Sequence, residues 1–178
     1  MCFRKLSYLT RAIIFGLIFA LVVLVLDMAF LPFMGEKFAV IEGQDPGLFG
    51  LLANLVMGIL YGGITEELLL RWGVMSLLVW LGWKLMGGSK DNPPGGLVWA
   101  AIFLSAVLFG VGHLPAMAAM VPLTTIIVVR TIFLNAIGGI VFGWLYWRYS
   151  LEAAMVAHAF FHVGFFVVNL LSLAFNLA

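Results

Sequence analysis

Polar residues are so sparse in this chain that they act as punctuation. From Ala12 to Leu31 the only charged position is Asp27. Apolar runs of similar length recur at Leu48–Ile64, Thr65–Met86, Leu97–Gly112, Leu123–Trp147 and Leu151–Ala174. Between them stand GEKFAVIEGQDPG (Gly35–Gly47), the pair Gly62-Gly63, GGSKDNPPGG (Gly87–Gly96), the prolines Pro115 and Pro122, and WRYS. Runs of about 20 apolar residues match the length a helix needs to cross a bilayer. Backbone groups in lipid must be paired, and no strand-like alternation is visible, so helices are required. The pattern predicts an all-α, polytopic membrane bundle of about six transmembrane helices, formed by a single membrane-embedded domain over 1–178. No internal repeat is present.

Composition agrees with this pattern. Hydrophobic residues make up 65% of the 178 positions and charged residues 10%, against about 25% charged in soluble domains. The net charge of +1 gives no reason to expect a nucleic-acid partner. The single cysteine, Cys2, rules out an internal disulfide. The start, MCFRKLSYLTR, carries Arg4, Lys5 and Arg11. The apolar run after it exceeds a signal-peptide core of about 7–15 residues and has no small-residue cleavage site, so it reads as a retained helix. The basic flank places the N-terminus in the cytoplasm of a multi-pass cell-membrane protein. Six spans then leave Lys37, Lys84, Lys90 and Arg148 outside, opposing that rule, and the start is taken to prevail.

Ionisable groups within spans cost about 2.5–3.5 kcal/mol each for Arg, Lys or Asp at a helix centre, so each needs a reason. They are Asp27, Glu66, Glu67, Arg71, His113, Arg130, His158 and His162, and they include every histidine of the chain. Glu67 and Arg71 are four apart and share a helical face, which suits an ion pair. Glu66 points about 100° away, so its charge is left for something else. FGVGH sets Phe109 four residues before His113, and HAFFH sets His158 and His162 on one face of the last span. Those two imidazoles suit either a metal or two hydrogen bonds to one oxygen. A carboxylate with three imidazoles in a dry bundle suits water activation and oxyanion stabilisation. No serine or cysteine in these motifs offers a nucleophile. Depth stands against the meeting: with Glu66 and His113 at one face, His158 and His162 lie about 10 and 16 Å in from the other at 1.5 Å per residue. Asp27 and Arg130 are expected to pair across helices.

In order along the chain, EExxxR (Glu66, Glu67, Arg71), FxxxH (Phe109, His113) and a variant HxxxN resemble the CPBP family. These are glutamic intramembrane endopeptidases that include CAAX prenyl proteases and bacterial Abi proteins. GGIVFGWLYWRYSLEAAMVAHAFFH is similar to the family's last two helices. The resemblance covers about Leu48–Phe166, with a catalytic core of about 48–174. It implies that Glu66 and His113 activate water, that His158 and the residue at 162 stabilise the oxyanion, and that Glu67, Arg71 and Phe109 support them. The substrate it implies is a peptide or protein near the membrane surface, lipid-modified or membrane-anchored, and no cofactor is expected. The departure is His162 in place of asparagine. It raises a zinc-dependent variant using Glu66, His158 and His162. A non-catalytic, Abi-like bacteriocin-immunity or scaffold protein, and a metal or proton carrier, are the remaining alternatives.

Overall fold

The computed structural model describes residues 2–36, 38, 46–88 and 92–175, with side chains from Tyr8 onward. Lys37, Glu42, Asp45 and Lys90, and the side chains of Cys2, Arg4 and Lys5, lie outside the described residues. Helix α1 runs Cys2–Met28 and is followed by a 3-10 turn at Leu31–Phe33. Helix α2 runs Gly47–Leu85, α3 Gly95–Gly112, α4 Leu114–Met120, α5 Thr125–Arg148 and α6 Leu151–Phe175. Among the described residues there is no strand. Five stretches of the described residues are long and apolar enough to cross a membrane, so the protein is a multi-pass helical membrane bundle.

Five replaces the expected six because Leu48–Ile64 and Thr65–Met86 are one helix. Gly62-Gly63, read as a break, does not open the chain. In lipid an opened backbone would strand N–H and C=O groups, each at a cost of several kcal/mol. The helix instead widens into two π-helical stretches, Gly58–Glu66 and Leu68–Met75. Thr65 Oγ1 donates to the carbonyl of Leu60 and Ser76 Oγ to that of Arg71, both at 3.2 Å. π turns within α-helices recur at functional sites, and here they carry the EExxxR motif.

Small residues set the helix spacing, as expected where lipid supplies no hydrophobic force between helices. Ala12, Gly16 and Ala20 recur at every fourth position of α1. Gly16 abuts the Ala157 carbonyl of α6, and a Cβ on Gly164 would lie 2.6 Å from that of Ala20. Between α3 and α5, a Cβ on Gly110 would lie 2.7 Å from the Ile132 carbonyl, and one on Gly139 2.6 Å from Ala106 Cα. Between α2 and α6, a Cβ on Gly62 would lie 2.6 Å from His162 Nε2. Of these approaches, the one between α2 and α6 lies beside the His162 and His158 rings.

The Asp27–Arg130 expectation holds. Arg130 donates from Nε and Nη2 to the two carboxylate oxygens of Asp27, a bidentate pair joining α1 to α5. The Phe38 ring lies under the guanidinium at 4.9 Å. We expect a thermal-stability cycle of Asp27→Asn, Arg130→Gln and the double variant to show coupling of about 1–3 kcal/mol. Additive effects would contradict the pairing.

Candidate active site

Glu66 and Glu67 occupy the middle of α2, where the helix changes from one π-helical stretch to the next. Successive residues diverge, so the two carboxylates address different neighbours. Glu67 is completely buried, Arg71 is 1% exposed and Glu66 is 9% exposed. Arg71 Nε lies 3.2 Å from Glu67 Oε2 one turn along the helix. Arg71 Nη2 donates to the Gly139 carbonyl of α5 at 3.4 Å. Its guanidinium lies 4.9 Å from the Phe109 ring centroid and 5.7 Å from that of Phe142. The cation is thus held by one carboxylate, one carbonyl and two aromatic faces, although Nη1 has no acceptor. Such an arrangement suits a guanidinium, which is planar and weakly hydrated, better than a lysine.

Glu67 has a second partner that helical spacing alone does not reveal. Its Oε1 accepts a hydrogen bond from His158 Nδ1 of α6 at 2.8 Å. His158 is stacked on Phe142 at 4.4 Å and on His162 at 5.1 Å. A carboxylate paired with arginine only accepts, so the neutral His158 ring carries its proton on Nδ1 and turns a bare Nε2 outward. That Nε2 is 3.9 Å from Glu66 Oε2. His113, at the end of α3, follows the same logic. Its Nδ1 lies 2.8 Å from the Phe109 carbonyl, and a carbonyl only accepts. The His113 Nε2 lone pair therefore faces Glu66, 3.6 Å from Oε1. Phe109 serves both motifs, since its carbonyl fixes His113 and its ring covers Arg71.

Both ring gaps to Glu66 are too long for good hydrogen bonds and leave the carboxylate poised between two imidazoles. The depth conflict of the sequence reading vanishes because Glu66 does not begin a helix. It is embedded in α2, and the side chains of α3 and α6 reach it from opposite ends of the bundle. His162 lies one turn beyond His158, over Gly58 and Gly62. It makes ring contacts with His158 and Phe161. Neither of its nitrogens hydrogen-bonds a described residue, so its tautomer is free. Among the described residues, no group of three or more His, Cys, Asp or Glu is arranged to hold a metal ion.

Exposure within the cluster is graded. The His113 side chain is 33% exposed, that of Glu66 11%, His158 4% and Arg71 1%. Beyond Arg71, the buried Met75, Ile102 and Phe142 close the bundle. A separate cavity of about 600 Å³ lies past that plug, lined by Trp80, Trp83 and Trp147 among others. It is not continuous with the carboxylates.

The geometry makes Glu67 the shared anchor of Arg71 and His158. Glu67→Gln leaves a buried guanidinium without its counter-charge, which is expected to cost about 3–5 kcal/mol. Thermal unfolding in detergent measures this, and a variant as stable as the parent would contradict it.

A family model described as type II CAAX prenyl endopeptidase Rce1-like matches residues 46–164, more than half of the chain. No curated protein and no solved structure matches it.

Proposed function

The chain belongs to the Rce1-like family of type II CAAX prenyl endopeptidases, and we propose that it hydrolyses a peptide bond within the membrane by metal-free activation of water. The observation that carries this reading is the pair of bare Nε2 atoms, of His113 and His158, turned on the Glu66 carboxylate. A water between Glu66 and His113 meets two acceptors and no donor, which orients its lone pair outward. Glu66 takes one of its protons as the oxygen attacks the scissile carbonyl. The C–O bond forms and the carbonyl π pair moves to oxygen. Collapse of the tetrahedral intermediate breaks the C–N bond, and the proton held by Glu66 passes to the departing amine.

The oxyanion needs donors. His158, with its Nδ1 proton committed to Glu67, turns a bare Nε2 to the site and has no second proton to donate while neutral. His162 carries no such commitment and donates while neutral. His162 therefore takes the role that asparagine has in the family's HxxxN motif, one turn beyond His158. Glu67, Arg71 and Phe109 hold the rings in place and touch no reacting atom. The substrate is a peptide segment that reaches mid-membrane, and a lipid-modified or membrane-anchored protein meets that requirement.

Glu66→Gln is expected to abolish cleavage, by at least about 10³-fold if general-base catalysis is lost, while thermal stability stays near that of the parent. Full activity in that variant would end this mechanism. His162→Asn is expected to keep activity within about tenfold and His162→Leu to lose more, since removing one oxyanion donor costs about 10²–10³. Elemental analysis and cleavage with and without chelator decide the zinc alternative. Stoichiometric zinc on Glu66, His158 and His162, lost together with activity, would replace the water mechanism.

A further inference from the structure

The cavity of about 600 Å³ among the end of α2, the start of α3 and the end of α5 has no part in the proposed hydrolysis. Its deep wall includes Met75, 2% exposed, and Val98, 5% exposed, whereas Trp80 is 51% exposed. Trp83 and Trp147 line it as well, and Trp99 packs on Trp147 at 5.9 Å. Tryptophan gathers where a bilayer meets water, so the outer end of the cavity is at headgroup depth. From Trp83 back to Met75 is eight residues of helix, about 12 Å at 1.5 Å per residue. One leaflet contributes about half of the roughly 30 Å hydrocarbon core. The cavity therefore runs from headgroup depth towards the mid-plane, as an acyl chain does.

The interior suits hydrocarbon because its hydroxyls already satisfy each other. Ser76 donates to the Arg71 carbonyl at 3.2 Å, so Tyr146, 2.9 Å from Ser76 Oγ, donates to Ser76. The mouth is cationic. The exposed Lys84 ammonium lies 6.0 Å from the Trp80 ring centroid, and the exposed Arg148 guanidinium 5.4 Å from that of Trp147. Both of those rings line the cavity. Among the described residues no carboxylate pairs with Lys84. Basic pockets between transmembrane helices take anionic lipid headgroups, and cavities of about 300–1,000 Å³ take a molecule of drug size, enough for one lipid chain. We propose that this cavity binds an anionic phospholipid, with one acyl chain inside and its phosphate held by Lys84 and Arg148. The site stands on the cavity and its charge, and does not depend on the hydrolytic reading.

The test is native mass spectrometry of the full chain in a nonionic detergent, titrated with dioleoylphosphatidylglycerol or dioleoylphosphatidylcholine. Expected is one phosphatidylglycerol per chain, bound at least about fivefold tighter than phosphatidylcholine, the factor that one Lys or Arg supplies near an anionic surface. Lys84→Gln is expected to narrow that preference by about fivefold. Val79→Trp, which fills the cavity, is expected to lose the bound phosphatidylglycerol. Equal binding of the two lipids, unmoved by Lys84→Gln, means annular lipid only and overturns the proposal. So does phosphatidylglycerol retained at full affinity by folded Val79→Trp, which puts the lipid on the surface. If Val79→Trp does not fold, the Lys84→Gln arm decides, because that side chain is exposed. Two competitors separate the other occupants. Glycerol 3-phosphate competing as well as the lipid makes this a free-phosphate site, and a farnesylated peptide displacing the lipid assigns the cavity to the substrate. Either result overturns the proposal, and failure of both to compete supports it.

Discussion

Both oxygens of the fully buried Glu67 carboxylate are committed, one to Arg71 and one to His158. The rest of the cluster depends on that commitment. A buried carboxylate without partners would be neutralised or expelled. With them it locks α6 onto α2, fixes the His158 tautomer and holds a guanidinium beneath the Phe109 ring. The neighbouring Glu66 is spared those duties. It faces two imidazoles across gaps of 3.6 and 3.9 Å, held for chemistry by groups that have already satisfied one another. Under the proposed mechanism, the two adjacent glutamates form one unit in which the first reacts and the second positions. Their divergence on the helix makes this division possible.

Much of this was legible in the sequence. The cost of charge in lipid singled out all eight intramembrane ionisable residues, and the structure brings six of them into one cluster and pairs the other two. The Glu67–Arg71 pair followed from spacing, and Asp27–Arg130 from the cost of leaving either alone. The Glu67–His158 bond was not legible, because contacts between elements 91 positions apart leave no periodic trace. Nor were the tautomers, which depend on the Phe109 carbonyl and on which carboxylate oxygen faces which ring. The family motifs named the residues of the site but gave no geometry.

The misreading of Gly62-Gly63 is instructive in physical terms. In water a glycine pair between apolar runs signals a turn, because solvent satisfies the freed backbone. In a bilayer the same pair cannot open. What glycine supplies there is the missing side chain, and the space is taken by His162 and by Ala159 of α6. The sequence did contain a warning. Under six spans the charges at Lys84, Lys90 and Arg148 opposed those at the N-terminus, whereas one fewer crossing brings them together. Charge bias in the loops thus tests the helix count independently of hydropathy.

His162 stands where the HxxxN motif that the sequence resembles has asparagine, and the tautomers explain why an imidazole can stand there. With Nδ1 protons pinned at His113 and His158, the neutral site presents two acceptors to Glu66 and no donor. An amide at 162 supplies a donor in any state. An imidazole supplies one only if nothing else fixes its proton, and His162 meets that condition because its neighbours are the ring of His158, the ring of Phe161 and the bare glycines of α2. Two histidines on one helical face act as a pair because their surroundings differ.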